Sequence, residues 1–206
     1  MPKKFYPDRD FKAFLFDFDG TVADTMPVHF AAWNHALSFY QLNLTLEQHR
    51  GWAGRPTREI VDLLSDVHKV ALPAEEILKN KEIYYLKSGA DVKAIVPVME
   101  IIKAAHGKIP MAIVSGSRRK PVQSTLDQLG ISHFFKLLVC AEDYVNGKPA
   151  PDCFLQAAAA LGADPKDCLV FEDGILGIQA AHAAGMECLR VGETDPHELS
   201  ISVRVK

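Results

Sequence analysis

The sequence has little that would commit it to a membrane, to nucleic acid or to an oxidising compartment. No run approaches the roughly 20 consecutive apolar residues that span a bilayer. Its 23 Lys and Arg stand against 26 Asp and Glu, a net charge of −3, so the positive excess that a phosphate-backbone binder needs is missing and nucleic acid is not an expected partner. Cysteine is scarce and scattered. Cys140, Cys153, Cys168 and Cys188 form no CxxC pair and each sits in an apolar run, which reads as buried free thiols rather than disulfides or a sulfur metal site. The basic start, Met1-Pro2-Lys3-Lys4, leads into Asp8, Arg9 and Asp10 instead of the apolar segment of a secretion signal, so a cytoplasmic location is expected. Internal repeats and low-complexity tracts are absent from the 206 residues, of which 48% are apolar and 24% charged, the mixture of an ordinary globular chain.

What is present is a series of short apolar runs: Phe14 to Phe18, Met111 to Val114, Leu137 to Ala141, Leu169 to Phe171 and Glu187 to Val191. They are continuous rather than alternating, as strands covered on both faces should be, and helical stretches separate the later ones, a pattern that predicts a parallel sheet. Pro151 precedes a helix over Asp152 to Leu161 that Gly162 ends, and Gly185 closes another over Ile175 to Ala184. A further helix is expected from Lys120 to Leu129, before Gly130. The tail, Ile201 to Val205, alternates and reads as an edge strand.

More than ninety residues separate the first run from the second, far more than one crossover requires. The surplus is helical in pattern: Pro27 to Tyr40, Thr57 to Asp66 and Pro73 to about Lys87, with a crossover helix over Pro97 to Ala105. The fold class is therefore α/β: a Rossmann-like parallel-sheet core with helices on both faces and an inserted all-helical cap. The expected division is a core of residues 1–26 and 94–206 and a cap of residues 27–93, with hinges near Asp24 to Pro27 and Ser88 to Asp91.

Ligands of open parallel sheets bind beyond the carboxyl ends of the strands, so the residues after each apolar run are the place to look for chemistry. Asp17, Asp19, Gly20 and Thr21 follow the first run, and Ser115-Gly116-Ser117 the second. Glu142, Asp143 and later Lys148 follow the third; Glu172 and Asp173 follow the fourth. Several acids on one rim repel one another unless a cation sits among them, and an all-oxygen donor set favours Mg2+ over zinc or copper. Ser115 and Gly116 offer a hydroxyl and backbone N–H groups to an anion, and Lys148 a compact positive charge. Metal, anion cradle and lysine together specify a phosphoryl group, which one aspartate could attack while a second carboxylate moves protons.

The segments "DFDGTVADT" from Asp17, "VSGS" from Val114, "GKPAPD" from Gly147 and "FEDGILGIQAAHAAGM" from Phe171 resemble the haloacid-dehalogenase superfamily of phosphohydrolases. Within it they are similar to the β-phosphoglucomutase-like branch with a helical cap, and there to the fructose-1-phosphate phosphatase-like members; the resemblance covers nearly the whole chain. It implies that Asp17 is the nucleophile and a metal ligand, and that Asp19 is the acid/base with its backbone carbonyl on the metal. Lys148 would steady nucleophile and phosphate, and Ser115 and the Gly116 N–H would bind phosphate. Asp173 would ligate Mg2+ directly, and Glu172 directly or through water. His29, twelve residues after Asp17, matches a cap histidine that senses closure over the substrate. The implied activity is a Mg2+-dependent phosphatase acting on small phosphorylated metabolites, in particular sugar phosphates, by way of an aspartyl phosphate, and a monomer is expected. Arg55 and Arg58, in "GRPTREI", are the candidates for holding the far end of the substrate.

Other readings compete. A phosphosugar mutase shares the first half-reaction, but the distal-phosphate arginine of the mutase pattern falls nearest Thr57. A signalling receiver domain uses similar groups, yet carries its acceptor aspartate on a later strand and has no cap. An EF-hand numbered from Asp17 would need Gly at Val22 and Glu at Val28. Gly147-Lys148 is no P-loop, because Pro149 replaces Ser or Thr and Glu142 stands where the leading Gly belongs. Trp33, Trp52 and Phe39 read as cap packing rather than a substrate platform. Ser117 reads equally as a helix N-cap or a ligand contact, and Arg118-Arg119-Lys120 as a solvated helix face.

Overall fold

The five apolar runs become parallel strands in a computed structural model that describes residues 10–88, 92–192 and 199–202. They are β1 (Ala13–Phe16), β2 (Met111–Val114), β3 (Leu137–Val139), β4 (Cys168–Glu172) and β5 (Glu187–Val191). Between β1 and β2 lie helices α1 (Met26–Ser38), α2 (Leu46–Gly51), α3 (Thr57–His68), α4 (Ala74–Ser88) and α5 (Val96–Ala105). The later connections carry α6 (Arg119–Gln128), α7 (Asp152–Leu161) and α8 (Ile175–Ala183). The edge strand predicted in the tail is β6 (Leu199–Ser202), which pairs antiparallel with β5; residues 203–205 of that expectation lie outside the described residues.

The sheet order is β3-β2-β1-β4-β5-β6. The chain winds outward from β1 to one side and then crosses to the other, so the crevice of this sheet opens where β1 and β4 end together, Phe16 lying opposite both Ile113 and Phe171. Strand periodicity sends Phe14 and Phe16 to the face covered by α5 and α6, and Ala13 and Leu15 to the face covered by α7 and α8. The first face is aromatic, with Phe16 stacked on Phe171 at 4.3 Å between ring centroids. The second is made of small residues, Ala157, Ala158, Ala180 and Ala181 among them, which let the helices approach closely. All four cysteines are free and buried.

Two strands are shorter than expected because local hydrogen bonds take the backbone out of the sheet. Phe18 does not extend β1: its carbonyl accepts from the N–H groups of Val22 and Ala23, curling the chain into a loop directly after Asp17. The Cys140 N–H donates to Asp143 Oδ2 at 2.7 Å, ending β3 at Val139 instead of Ala141.

Helices α1 to α4 hold a hydrophobic cluster of their own around Trp33, Leu37, Leu44, Val61, Leu64 and Ile77, separate from the two clusters that sandwich the sheet. Helix α2 was not expected from periodicity. A capping box starts it, Thr45 accepting from the Gln48 N–H and Gln48 accepting from the Thr45 N–H. Chain enters and leaves the cap side by side: Ala23 bridges Ala94, the Asp24 N–H donates to the Lys93 carbonyl at 2.9 Å, and the Ile95 N–H to the Val22 carbonyl at 2.9 Å. The first predicted hinge begins inside this ribbon, at Asp24; residues 89–91 of the second lie outside the described residues.

The cap sits down on the core. Gly116 and Gly147 give it room, since a Cβ at Gly116 would lie 3.0 Å from the Gly54 carbonyl and one at Gly147 only 2.3 Å from Pro56 Cγ. Across the same interface Tyr85 and Thr125 share a buried hydrogen bond of 3.0 Å, and Glu82 faces Arg118 at 3.8 Å and Lys120 at 3.7 Å.

Candidate active site

Asp17 leaves β1 with its backbone still tied to β4, its N–H donating to the Phe171 carbonyl at 2.9 Å, so its side chain is fixed at the rim. Lys148 reaches that rim from the loop before α7 with its side chain fully buried. Its ammonium lies 2.6 Å from Asp17 Oδ1 and 2.6 Å from Glu172 Oε2. Glu172 ends β4, and its other oxygen accepts from the Gly174 N–H at 3.0 Å. Its carboxylate fits only because residue 177 is glycine: a Cβ there would come within 1.9 Å of Oε2. Asp173 accepts from the Thr21 hydroxyl at 3.1 Å and lies over Gly20, whose φ of +91° and lack of a Cβ leave the space its carboxylate fills.

Carboxylate oxygens of Asp17, Glu172 and Asp173 all fall within 4.8 Å of one another, a group able to hold a metal ion. Three carboxylates against the one ammonium of Lys148 leave two negative charges unbalanced in a buried place. Burial, followed by Glu172, raises the Asp17 carboxyl well above its usual range, and the same causes push Asp173 up to about 7. Burial opposes the charge on Lys148, but Asp17 and Glu172 outweigh it and hold the ammonium charged. A hard divalent cation with oxygen ligands fits both the donor set and the charge deficit.

Asp19 is two residues on, yet its surroundings are opposite. One oxygen accepts from the Thr25 hydroxyl at 2.7 Å and lies 2.9 Å from His29 Nε2; the other accepts from Ser117 at 2.7 Å and Ser115 at 3.2 Å. Burial pushes the Asp19 carboxyl up, but His29 and the hydroxyls of Ser117 and Thr25 outweigh it and keep the group below the usual carboxylate range. Thr25 stands at the N-cap position of α1 without capping it, its hydroxyl being committed to Asp19. Ser117 likewise serves Asp19 rather than capping α6, whose N-cap is Arg118.

The network continues into the cap. His29 Nδ1 lies 3.2 Å from the Lys81 ammonium, and the His29 ring stacks on Tyr85. Lys81 sits over the Trp33 ring, and its burial lowers its pKa to about 8. Burial, then Lys81, lowers His29 as well, so the imidazole accepts from Lys81 at Nδ1 and donates from Nε2 to Asp19.

Between cap and core lies a cleft open to solvent. Asp17, Asp19, Glu172 and Asp173 line one end with Gly116 and Ser117; Trp33, His49, Trp52 and Arg55 line the cap side. Ser115, expected to bind phosphate, is fully buried, donates to Asp19 and does not line the cleft. Of the two arginines singled out in the sequence, Arg55 lies on the cleft wall and pairs with Glu59. Arg58 is not brought there; it is exposed and faces Glu75 at 2.8 Å and Asp62 at 3.9 Å. Trp52 borders the cleft, and Phe39, expected to pack within the cap, is 62% exposed. Arg118, Arg119 and Lys120, expected on a solvated face, are exposed but tied to Glu82, Glu142 and Asp143. Lys81 and His49 went unnoticed in the sequence, since a buried Lys and a buried His carry no local pattern that sets them apart.

Comparison with known proteins agrees with this geometry. Fructose-1-phosphate phosphatase YqaB of Escherichia coli (strain K12) is 35% identical over 177 residues, covering 86% of this chain and 94% of that protein. Beta-phosphoglucomutase of Bacillus subtilis (strain 168) is 29% identical over 194 residues, 90% of this chain and 85% of that one. Among solved structures, beta-phosphoglucomutase (pgmB) from Clostridium difficile aligns with a TM-score of 0.78 at 25% identity, covering 89% of this chain and 85% of that chain. The fold is also that of CbbY from Rhodobacter sphaeroides in complex with phosphate, with a TM-score of 0.81 at 24% identity over 91% of this chain and 89% of that one. The family of haloacid dehalogenase-like hydrolases matches residues 11–185, a span that takes in the whole cap and the first four strand ends. The chain therefore belongs to the haloacid dehalogenase-like hydrolases.

Proposed function

We propose that this hydrolase of phosphoric monoesters is a Mg2+-dependent sugar phosphatase that works through an aspartyl phosphate on Asp17. The observation that carries the reading is the contrast between two carboxylates two residues apart: Asp17 bonded to a buried lysine, Asp19 held by hydroxyls and a histidine. Asp17, Asp173 and the Asp19 backbone carbonyl would hold the metal, with Glu172 beside them positioning Lys148. Bound there, Mg2+ supplies the positive charge that draws a phosphate dianion toward the acids.

A carboxylate approaching a phosphate dianion meets about 4 kcal/mol of repulsion per charge pair at 4 Å and an effective dielectric near 20, roughly a thousandfold in rate. Lys148 offsets part of this where the bond forms. The Asp17 oxygen attacks phosphorus, the bond from phosphorus to the sugar oxygen breaks, and Asp19 gives that oxygen its proton. Ionised in the surroundings described above, Asp19 must take up that proton first, and a phosphate dianion beside it pushes its pKa upward. Asp19 then removes a proton from the water that attacks the aspartyl phosphate, freeing phosphate and restoring Asp17. The Gly116 N–H, on the cleft wall, would hold a phosphate oxygen, whereas the Ser115 hydroxyl stays with Asp19, and the seated cap would exclude bulk water. The relative named as a fructose-1-phosphate phosphatase makes fructose 1-phosphate the first ester to try.

The test is phosphate release from a panel of sugar phosphates with Mg2+ and with EDTA, for wild type and Asp17→Asn. Release that depends on Mg2+ and is lost in the variant is expected. An Asp17→Asn enzyme with near-wild-type turnover would overturn the nucleophile assignment. Isomer formation without release of phosphate would replace the phosphatase by a mutase, and slow stoichiometric self-labelling without turnover would replace it by a receiver.

A further inference from the structure

We infer that His49 is a specificity-determining residue that hydrogen-bonds a hydroxyl of the substrate's carbon skeleton at the cap end of the cleft. This rests on the phosphatase reading above and names the part of the substrate that reading leaves open.

His49 is held on α2 with only 7% of its surface exposed, and its ring packs against Phe30 at 5.4 Å between centroids. It lines the same cleft as Asp17 and Asp19, and its ring nitrogens have no hydrogen-bond partner among the described residues. Both nitrogens remain open to solvent, so the imidazole is free to pair with a ligand that enters the cleft. Burial, then the neighbouring His29 and Lys81, push its pKa down to about 4. At neutral pH it therefore offers one N–H donor and one acceptor nitrogen, and a hydroxyl, which both donates and accepts, is the matching partner. An anion matches only half of it.

The remaining wall points the same way. Trp33, Trp52, Met26 and Ile60 present apolar surface suited to the C–H face of a sugar.

The experiment compares kcat/KM for sugar monophosphates and their single-hydroxyl deoxy counterparts in wild type, His49→Phe and His49→Gln. Wild type is expected to prefer the hydroxylated ester at one hydroxyl position by about tenfold, the worth of one neutral hydrogen bond. His49→Phe should bring that ratio close to one, and His49→Gln, which keeps a donor and an acceptor, should retain part of it. Each ratio is taken within one enzyme, so a variant that folds poorly changes both rates alike. An active wild type whose ratios His49→Phe leaves intact at every position overturns this inference alone. A wild type inert toward every ester overturns the phosphatase reading and this inference with it.

Discussion

At the floor of the cleft, Asp17, Lys148 and Glu172 are locked by strand ends and by two hydrogen bonds of 2.6 Å; at its roof, His49 and Trp52 are carried by a six-residue helix and the turn that follows it. The floor is positioned by backbone: parallel strands end at one level, and glycines 20 and 177 make room for the acids. The roof is positioned by side-chain packing around Trp33 and Leu64. Substitutions in the floor should therefore change whether a bond is broken, and substitutions in the roof which ester is chosen and how well it is covered.

The sharpest way to break this contrast is Asp17→Asn. It should cost about a thousandfold or more in kcat, because a carboxamide cannot act as the nucleophile, while the melting temperature stays near wild type since the amide removes a buried charge. Kinetics and a thermal melt on the same sample check both halves. A cap fault comes next: Gly147→Ala puts a Cβ where Pro56 rests, and the unseated cap should lower kcat/KM for sugar phosphates about ten- to a hundredfold with the core intact, read by kinetics and circular dichroism.

Lys81→Met should separate activity from stability. Wild-type Lys81 has its folded pKa depressed to about 8, below the value of 10.5 for an unperturbed lysine, so at pH 7 the folded protein carries a buried charge that the unfolded chain holds at no cost. The variant should be more stable by about 1–3 kcal/mol at pH 7 and about tenfold slower, with the stability gain shrinking as pH rises from 8 toward 10.5 and the folded wild type sheds the proton. Denaturant melts across that pH range test the direction. Smallest of all is Arg58→Ala: an exposed residue paired only at the surface should leave kcat/KM within about twofold.

The same contrast explains how much could be read in advance. Asp17, Asp19, Ser115, Lys148 and Asp173 were legible because the sheet places whatever follows each apolar run, so position along the chain translates directly into position in space. Lys81 meets Asp19 through His29, 52 residues apart from it in sequence, and that meeting depends on how α1 and α4 rotate against each other, which periodicity alone does not set. The capping box of α2 was a readable signal, Thr45 followed three residues later by Gln48, that its short length concealed. Phe39 shows the opposite error: an aromatic at helical spacing that ends one residue past α1 and turns to solvent.

The ribbon at Ala23 and Ala94 has an evolutionary corollary. Because the polypeptide passes between the two units at a single paired crossing, a different helical insert could be spliced in at that point without moving any strand of the sheet. On the function proposed above, reaction chemistry and substrate choice would lie on separable stretches of the gene, and a chimera exchanging residues 24–93 between relatives is expected to take its turnover from one parent and its choice of ester from the other.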